Sequence, residues 1–411
     1  MLTTATTPNA FKIDHVFLTG ATGVLGAQVL KQLLIDDQSD VFCLVRAATL
    51  AEGRERLVKL LQAYDPKGEL SAAFDRRIMP ILGDISLPQF GLSDEAYAKL
   101  TGLVDVSLHV AAFTNLFAKF DTIRSINVSG TENMIAFALA TAQKRLSFVS
   151  TFTVMGDKAF DPSLTFREEH YDVGQGFADM NYQNTKFMCE GLIRQAGEQG
   201  LVWNILRPGQ IFGQADNGSY PQGQTNVSGL FYDIFKTIIE TKVAFKSSAH
   251  FDVSPVDYVA RALVYLSLHH DDRSQTYHLC NPDVKSYYDV VQLINAFGYR
   301  IGFVSQDRYR KILTEQSLRM EGSDAPYVSI TTKAFTWWYS RKQFDYSVSA
   351  RTDATYTQGI LEAVGIFCPK IDQQLISTYL RLGIARNYFP LPPATLDNVA
   401  IASQPESEQV V

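Results

Sequence analysis

Two short strings carry the residues best able to do chemistry. Tyr182-Gln183-Asn184-Thr185-Lys186 sets a phenol and an ammonium four residues apart, which is one turn on one face of a helix. A free tyrosine, with a pKa of ~10, is a poor acid or base at neutral pH. A nearby ammonium favours the phenolate and lowers that value. The pair therefore suits proton transfer at a carbonyl oxygen, and the lysine can also hold ribose hydroxyls. Upstream, the apolar run Leu146–Ser150 leads into Thr151. Thr151, with Ser150 as second choice, is placed to hydrogen-bond a carbonyl oxygen beside Tyr182. Without a reaction, the same hydroxyls would only cap or turn the chain.

The second string is Thr19-Gly20-Ala21-Thr22-Gly23-Val24-Leu25-Gly26. It follows an apolar run and opens a helical pattern. Glycines at 20, 23 and 26 allow a tight turn, close approach to a pyrophosphate, and packing of the helix on a sheet. The helix start then offers N–H groups and the positive dipole end to phosphate. The spacing is GxxGxxG, unlike the GxGxxG of ordinary dehydrogenases. Arg46 ends the next apolar run, where an acidic residue would mark NAD. An arginine there suits the 2′-phosphate of NADP, because its planar fork binds phosphate oxygens in pairs. Arg56 is ten residues further on and is expected to reach back. Asp84 and Ile85 follow a third run and are expected at the adenine. Ala111 and Ala112 follow a fourth, where small side chains permit contact with the cofactor. His109 reads as a packed core residue.

These residues need elements to hold them. Apolar runs at His15–Thr19, Val41–Val45, Arg77–Leu82, Val104–Val110, Leu146–Ser150 and Trp203–Leu206 alternate with helical patterns at Val24–Leu34, Leu50–Leu61 and Ile123–Ala142. Continuous apolar runs alternating with helices predict a doubly wound parallel α/β sheet with helices on both faces. Further helices are expected at Val227–Glu240, Val256–Leu268 and Tyr287–Phe297, with a strand at Thr276–Cys280. Residues 1–12 read as an extension and 13–215 as the Rossmann-type domain, to which parts of 250–282 return. Residues 216–394 read mainly as a smaller, mostly helical substrate region, and 395–411 as a disordered tail.

Apolar residues make up 46% of the 411, charged residues 19%, and the net charge is −6. That excludes wholesale disorder and gives no basic stripe for nucleic acid. Cys43, Cys189, Cys280 and Cys368 are far apart and form no metal-binding or disulfide spacing, so no metal is expected and the thiols read as reduced. The start of the chain resembles no secretion signal, and the longest apolar stretch, near Met134–Ala142, is too short to span a bilayer. A soluble, cytoplasmic protein is expected.

Taken together, Thr19–Gly26, Thr151, Tyr182 and Lys186 resemble the extended short-chain dehydrogenase/reductase superfamily. A closer resemblance is to its thioester reductase group. That group comprises the terminal reductase domains of nonribosomal peptide synthetases, of carboxylic acid reductases and of aminoadipate reductase. The segments that carry it are Gly83–Ser93 (GDISLPQFGLS), Asn127–Met134, Val149–Gly156, Asn181–Ile193, Ile205–Gly213 and Val253–Ser267. The first is the most group-specific, and the likeness covers roughly residues 13–390.

The resemblance implies Thr151, Tyr182 and Lys186 as the catalytic set. It implies cofactor contacts at Thr19, Gly20, Thr22, Gly23, Val24, Leu25, Arg46, Arg56, Asp84, Ile85, Ala111, Ala112, Lys186, Pro208, Gly209 and Ile211. It further implies NADPH as cofactor and an acyl thioester, on a carrier protein's phosphopantetheine arm or on CoA, as substrate. The product would be an aldehyde, or an alcohol after a second reduction. Two positions depart from the group: Asn184 stands where a small residue or serine is usual, and Gly223–Ser228 lacks the usual acidic residues. With no carrier or adenylation segment in view, the chain reads as free-standing, meeting its partner in trans. Trp337, Trp338, Tyr339 and Phe344 are expected either to line an acyl tunnel or to pack as core. Acyl identity and oligomeric state stay open. A sugar-nucleotide epimerase or dehydratase, a reductase of a free carbonyl and an NADP-sensing protein are the alternatives.

Overall fold

The computed structural model describes residues 12–116, 118–221, 229–269, 273–320 and 345–393. The first half runs β1 (His15–Thr19), α1 (Val24–Asp36), β2 (Asp40–Val45), α2 (Leu50–Tyr64), α3 (Ser71–Arg77), β3 (Ile78–Leu82), α4 (Asp94–Leu103), β4 (Val106–His109), α5 (Phe120–Ala140) and β5 (Arg145–Val149). It continues through β6 (Thr165–Phe166), α6 (Asn181–Gly197), β7 (Val202–Pro208), β8 (Ile211–Phe212), α7 (Leu230–Thr241), β9 (Val243–Phe245), β10 (Ser254–Pro255), α8 (Val256–Leu268) and β11 (Gln275–Leu279). The remainder is α9 (Tyr287–Ala296), β12 (Gly302–Val304), α10 (Gln306–Met320), β13 (Arg351–Thr352), α11 (Thr355–Ala363) and α12 (Gln373–Ala385).

Seven strands form one parallel sheet in the order β3-β2-β1-β4-β5-β7-β11. Val16 pairs with Val41 on one side and with Val106 on the other. The inner strands β1, β4 and β5 are buried almost throughout, as expected for a parallel sheet covered on both faces, whereas edge strand β3 is half-buried beyond Ile78. Successive side chains point to opposite faces, and β1 shows the result. Val16 and Leu18 enter the core that holds α1 and α8, while Phe17 packs in the other core with Phe90, Phe137 and Phe148. Helices α5 and α6 pack together over that second face. Strand order reverses between β1 and β4, so a crevice opens beyond their carboxyl ends, where such sheets bind ligands.

A further core gathers Phe212, Tyr232, Phe235, Phe251, Tyr287 and Tyr379 from β8, α7, the approach to β10, α9 and α12. Small two-stranded pairings, β8 with β10, β9 with β12 and β6 with β13, brace this part. The β6–β13 pair ties residues 165–166 to 351–352.

Some boundaries differ from the sequence expectation for local reasons. The apolar run from Val104 becomes a strand only at Val106, because the Val104 N–H closes α4 on the Leu100 carbonyl (3.1 Å). Helix α5 stops at Ala140, and the Thr141 hydroxyl binds the Ala138 carbonyl (2.8 Å). Helix α4, capped by Ser93 with Asp94 and Glu95 in its first turn, was not anticipated, although that signature is legible. The Gly223–Ser228 loop, the aromatics Trp337, Trp338, Tyr339 and Phe344, the extension 1–11 and the tail 395–411 lie outside the described residues.

Candidate active site

The glycine loop sits in the crevice between β1 and β4, and two of its glycines are forced by contact. Gly20 has φ +81°, and a Cβ there would lie 2.6 Å from the Ala111 nitrogen. A Cβ at Gly26 would lie 1.9 Å from the Gly20 carbonyl oxygen, so α1 packs directly on the loop. Gly23 is different, since its Cβ would meet only the Gly20 carbonyl at 3.3 Å, leaving a cradle over the loop. Gly23 is also the N-cap of α1, with no side-chain cap and no acidic residue in the first turn. The first-turn N–H groups of Val24 and Leu25 are thus left to an anion. These features fit a dinucleotide pyrophosphate. Thr22 lies within the same loop, and the Thr19 hydroxyl accepts from Ala111 N–H (3.3 Å), joining the β1 and β4 ends.

His109 lies beneath this joint, buried, with Nδ1 2.8 Å from the Thr19 hydroxyl and Nε2 3.4 Å from that of Thr131. Burial, with the Lys186 charge, lowers it to about 3, so it stays neutral. It is a packed histidine that supports the loop. Ala112 follows Ala111 beyond β4.

At the β2 end, Arg46 is largely exposed, and its guanidinium stands 3.9 Å from the Asp84 carboxylate. Arg56, on α2, does reach back: it donates to the Arg46 carbonyl. The other Asp84 oxygen accepts from the Ser86 N–H (2.9 Å) and hydroxyl (2.7 Å). Ile85 packs against Gly130 of α5, and its carbonyl accepts from Asn133 (2.8 Å). The group-specific GDISLPQFGLS string has a structural job beside this. Gln89, Phe90 and Gly91 all take positive φ, a rare run for non-glycine residues. It turns Phe90 fully into the core and returns its carbonyl to the Asp84 N–H (3.0 Å).

On the other side, β5 delivers Ser150 and Thr151 while α6 delivers Tyr182 and Lys186. The two hydroxyls separate. Ser150 donates to Glu190 (2.6 Å), whereas Thr151 accepts from Thr153 N–H (3.2 Å) as the cap of a 3₁₀ turn. The Lys186 ammonium is buried and donates to the Val149 carbonyl (2.6 Å), 4.4 Å from the centre of the Phe148 ring. Burial lowers it to about 8. Tyr182 departs from expectation: burial, with Cys189 nearby, pushes its phenol up.

Pro208 ends β7, and Gly209 is tied to a residue the sequence reading missed. A Cβ at Gly209 would lie 2.1 Å from Asp252 Oδ2. That buried carboxylate accepts from the N–H groups of Gln210 (2.6 Å) and Asn281 (2.7 Å) and from the Ser254 hydroxyl (2.8 Å). Burial still lifts it to about 6. Ile211 continues into β8, in register with Ser254. Asn127 of α5 was also missed as a support. It accepts from Phe113 N–H (2.7 Å) and donates to Thr185 (3.2 Å), linking the segment after β4 to α6.

A parallel sheet that reverses at a glycine loop, with a phenol and an ammonium one turn apart beside it, defines a nicotinamide-dependent reductase of the extended short-chain dehydrogenase/reductase type. More specifically, residues 18–263 match the NAD_binding_4 family, described as Male sterility protein, and the chain belongs to it. Among curated proteins, one component of the linear gramicidin synthase of Brevibacillus parabrevis is 30% identical over 90% of this chain. L-2-aminoadipate reductase large subunit of Eremothecium gossypii is 28% identical over 74% of it. The chain spans only 7% and 22% of those two proteins. Among solved structures, the terminal R domain from the myxalamid PKS-NRPS biosynthetic pathway superposes with a TM-score of 0.81 at 29% identity, covering 94% of both chains. No helix among the described residues is long and apolar enough to cross a membrane.

Proposed function

We propose that this chain reduces an acyl thioester to an aldehyde with NADPH, the acyl group being carried on the phosphopantetheine arm of a carrier protein or on CoA. The observation that carries the reading is the 94% mutual coverage by a terminal R domain, joined to Thr151, Tyr182 and Lys186 at the carboxyl edge of the sheet. The reductase named in the Eremothecium relative supports it. Arg46, exposed at the β2 end with Arg56 behind it, supports the phosphorylated cofactor, because a guanidinium fork matches a 2′-phosphate.

Gly20, Gly23 and the start of α1 would hold the pyrophosphate, Asp84 and Ile85 the adenine end, and Lys186 with Pro208–Ile211 the nicotinamide end. The cofactor, when bound, supplies a hydride. The chain's own residues do the rest. Thr151 and Tyr182 donate hydrogen bonds to the thioester carbonyl oxygen, where negative charge develops. Tyr182 gives that oxygen its proton as the carbonyl carbon is reduced. The reduced adduct then breaks its C–S bond, releasing a thiol and an aldehyde. Tyr182, pushed up by burial, holds its proton until an oxyanion forms, which suits a general acid. No cysteine nucleophile is needed, and Cys189 is raised to about 11 by burial.

The test follows NADPH absorbance with an acyl-CoA, an acylated carrier protein and a free aldehyde in parallel. Oxidation with at least one thioester, and a trapped aldehyde as product, is expected. Activity on the aldehyde but on no thioester would overturn the reading.

A further inference from the structure

Behind the site lies a buried ion pair that the reaction as written does not use. Glu190 and Arg207 are fully buried and meet in a two-pronged contact, Nε to Oε1 at 2.9 Å and Nη2 to Oε2 at 2.6 Å. Four of the five guanidinium donors are engaged, the others reaching the His170 carbonyl (2.8 Å) and His278 Nε2 (3.2 Å). An arginine always donates, so His278 Nε2 accepts and its Nδ1–H donates to the Asp353 carbonyl (2.8 Å). The guanidinium also covers the Phe166 ring at 4.9 Å.

The sequence positions of these partners matter. Ser150, which donates to Glu190 at 2.6 Å, immediately precedes Thr151. Glu190 is one helical turn beyond Lys186, and Arg207 immediately precedes Pro208 and Gly209. The β5 end, the Lys186 turn of α6 and the β7 end therefore meet at one charge pair. Stability does not explain the choice, because a buried pair is often no more stable than a well-packed apolar replacement. A two-pronged contact does fix distance and angle, and catalytic groups displaced by about 1 Å lose rate steeply.

We propose that the Glu190–Arg207 pair is the positioning element of the site, holding Thr151, Lys186 and the Pro208–Gly209 corner in one register. It rests on the reading of Thr151, Tyr182 and Lys186 as the reacting set. Neither residue touches substrate or cofactor; both act through Ser150, the α6 turn and the β7 end.

Three measurements test it. First, Glu190→Gln keeps the shape and removes the charge, and should lower kcat about ten- to hundredfold while changing KM and the NADPH Kd far less. A wild-type kcat in this variant would overturn the proposal. Second, the double variant Glu190→Leu/Arg207→Met replaces the pair by apolar side chains; it should melt below the wild type, by the cost of the Ser150, His170 and His278 groups left unpaired, and keep the low kcat. Recovery of kcat in this variant would make the pair mere packing and overturn the proposal.

Third, carbon-13-labelled lysine NMR on the cofactor-free protein follows Lys186. That ammonium faces Cys189 and Glu190 on α6 and His109 on β4, and Glu190 favours its charged form. Glu190→Gln should therefore move the titration to lower pH, and an unmoved titration would sever the pair from Lys186. If the wild-type protein reduced neither thioester nor aldehyde, the reading of the reacting set would fail, and the lysine titration would then decide the pair on its own.

Discussion

Around Gly20 and Gly26 the geometry is set by side chains that are absent; around Lys186 it is set by side chains that are present and buried. The cofactor corner depends on backbone meeting backbone, Gly20 against Ala111 and Gly26 against Gly20. The catalytic corner depends on Lys186, Glu190, Arg207 and Asn127, each with fixed partners from distant elements. A glycine contact tolerates no added atom, because backbone cannot step aside. A buried polar network tolerates a change of shape but not an unpaired member, since the orphaned group keeps its desolvation cost. The two corners should therefore fail differently.

The largest separation is expected from Tyr182→Phe. Losing the proton donor should lower kcat by about 10²–10⁴, with NADPH binding, read by fluorescence, nearly unchanged. A wild-type kcat would remove Tyr182 from proton transfer. Gly26→Ala should do the reverse. Its methyl would sit 1.9 Å from a carbonyl oxygen, so α1 must shift, weakening NADPH by roughly a hundredfold if about 3 kcal/mol of overpacking falls on the bound geometry. Unchanged cofactor affinity with unchanged Tm would show that the loop has slack. The smallest effect should come from Arg46→Ala, which removes one exposed charged contact. A loss of about 1.5–3 kcal/mol, roughly ten- to a hundredfold in Kd, is expected for NADPH and little for NADH. Equal losses for both cofactors would refute the 2′-phosphate assignment.

How legible each corner was follows from the range of its interactions. The strand–loop–helix from His15 to Asp36 was readable because its parts are adjacent in sequence, although the contact that forces Gly20 comes from distant Ala111. The Tyr182–Lys186 spacing was readable for the same reason, as helical periodicity spans only a few residues. The sequence put Thr151 before Ser150, but the reason Ser150 is engaged elsewhere was not readable. That reason is Glu190, 40 residues away, which claims the Ser150 hydroxyl. Asp252 escaped notice because its partners, Gln210 and Asn281, lie 42 and 29 residues away, and a lone aspartate in sequence points to neither.

What the chain determines by itself is thus the alternation of apolar runs and helices, the glycine loop, an arginine in place of an acid at Arg46, and the tyrosine–lysine spacing. These suffice for the sheet and for a dinucleotide-binding site. Tertiary structure decided the protonation of the site. Burial raised the Tyr182 phenol although a lysine stands one turn away. It also set Ser150 on Glu190 and Thr151 on Thr153, and it brought Arg207 onto Glu190. Each outcome depends on desolvation and on donor–acceptor competition between segments, and neither exists until the sheet has closed over them.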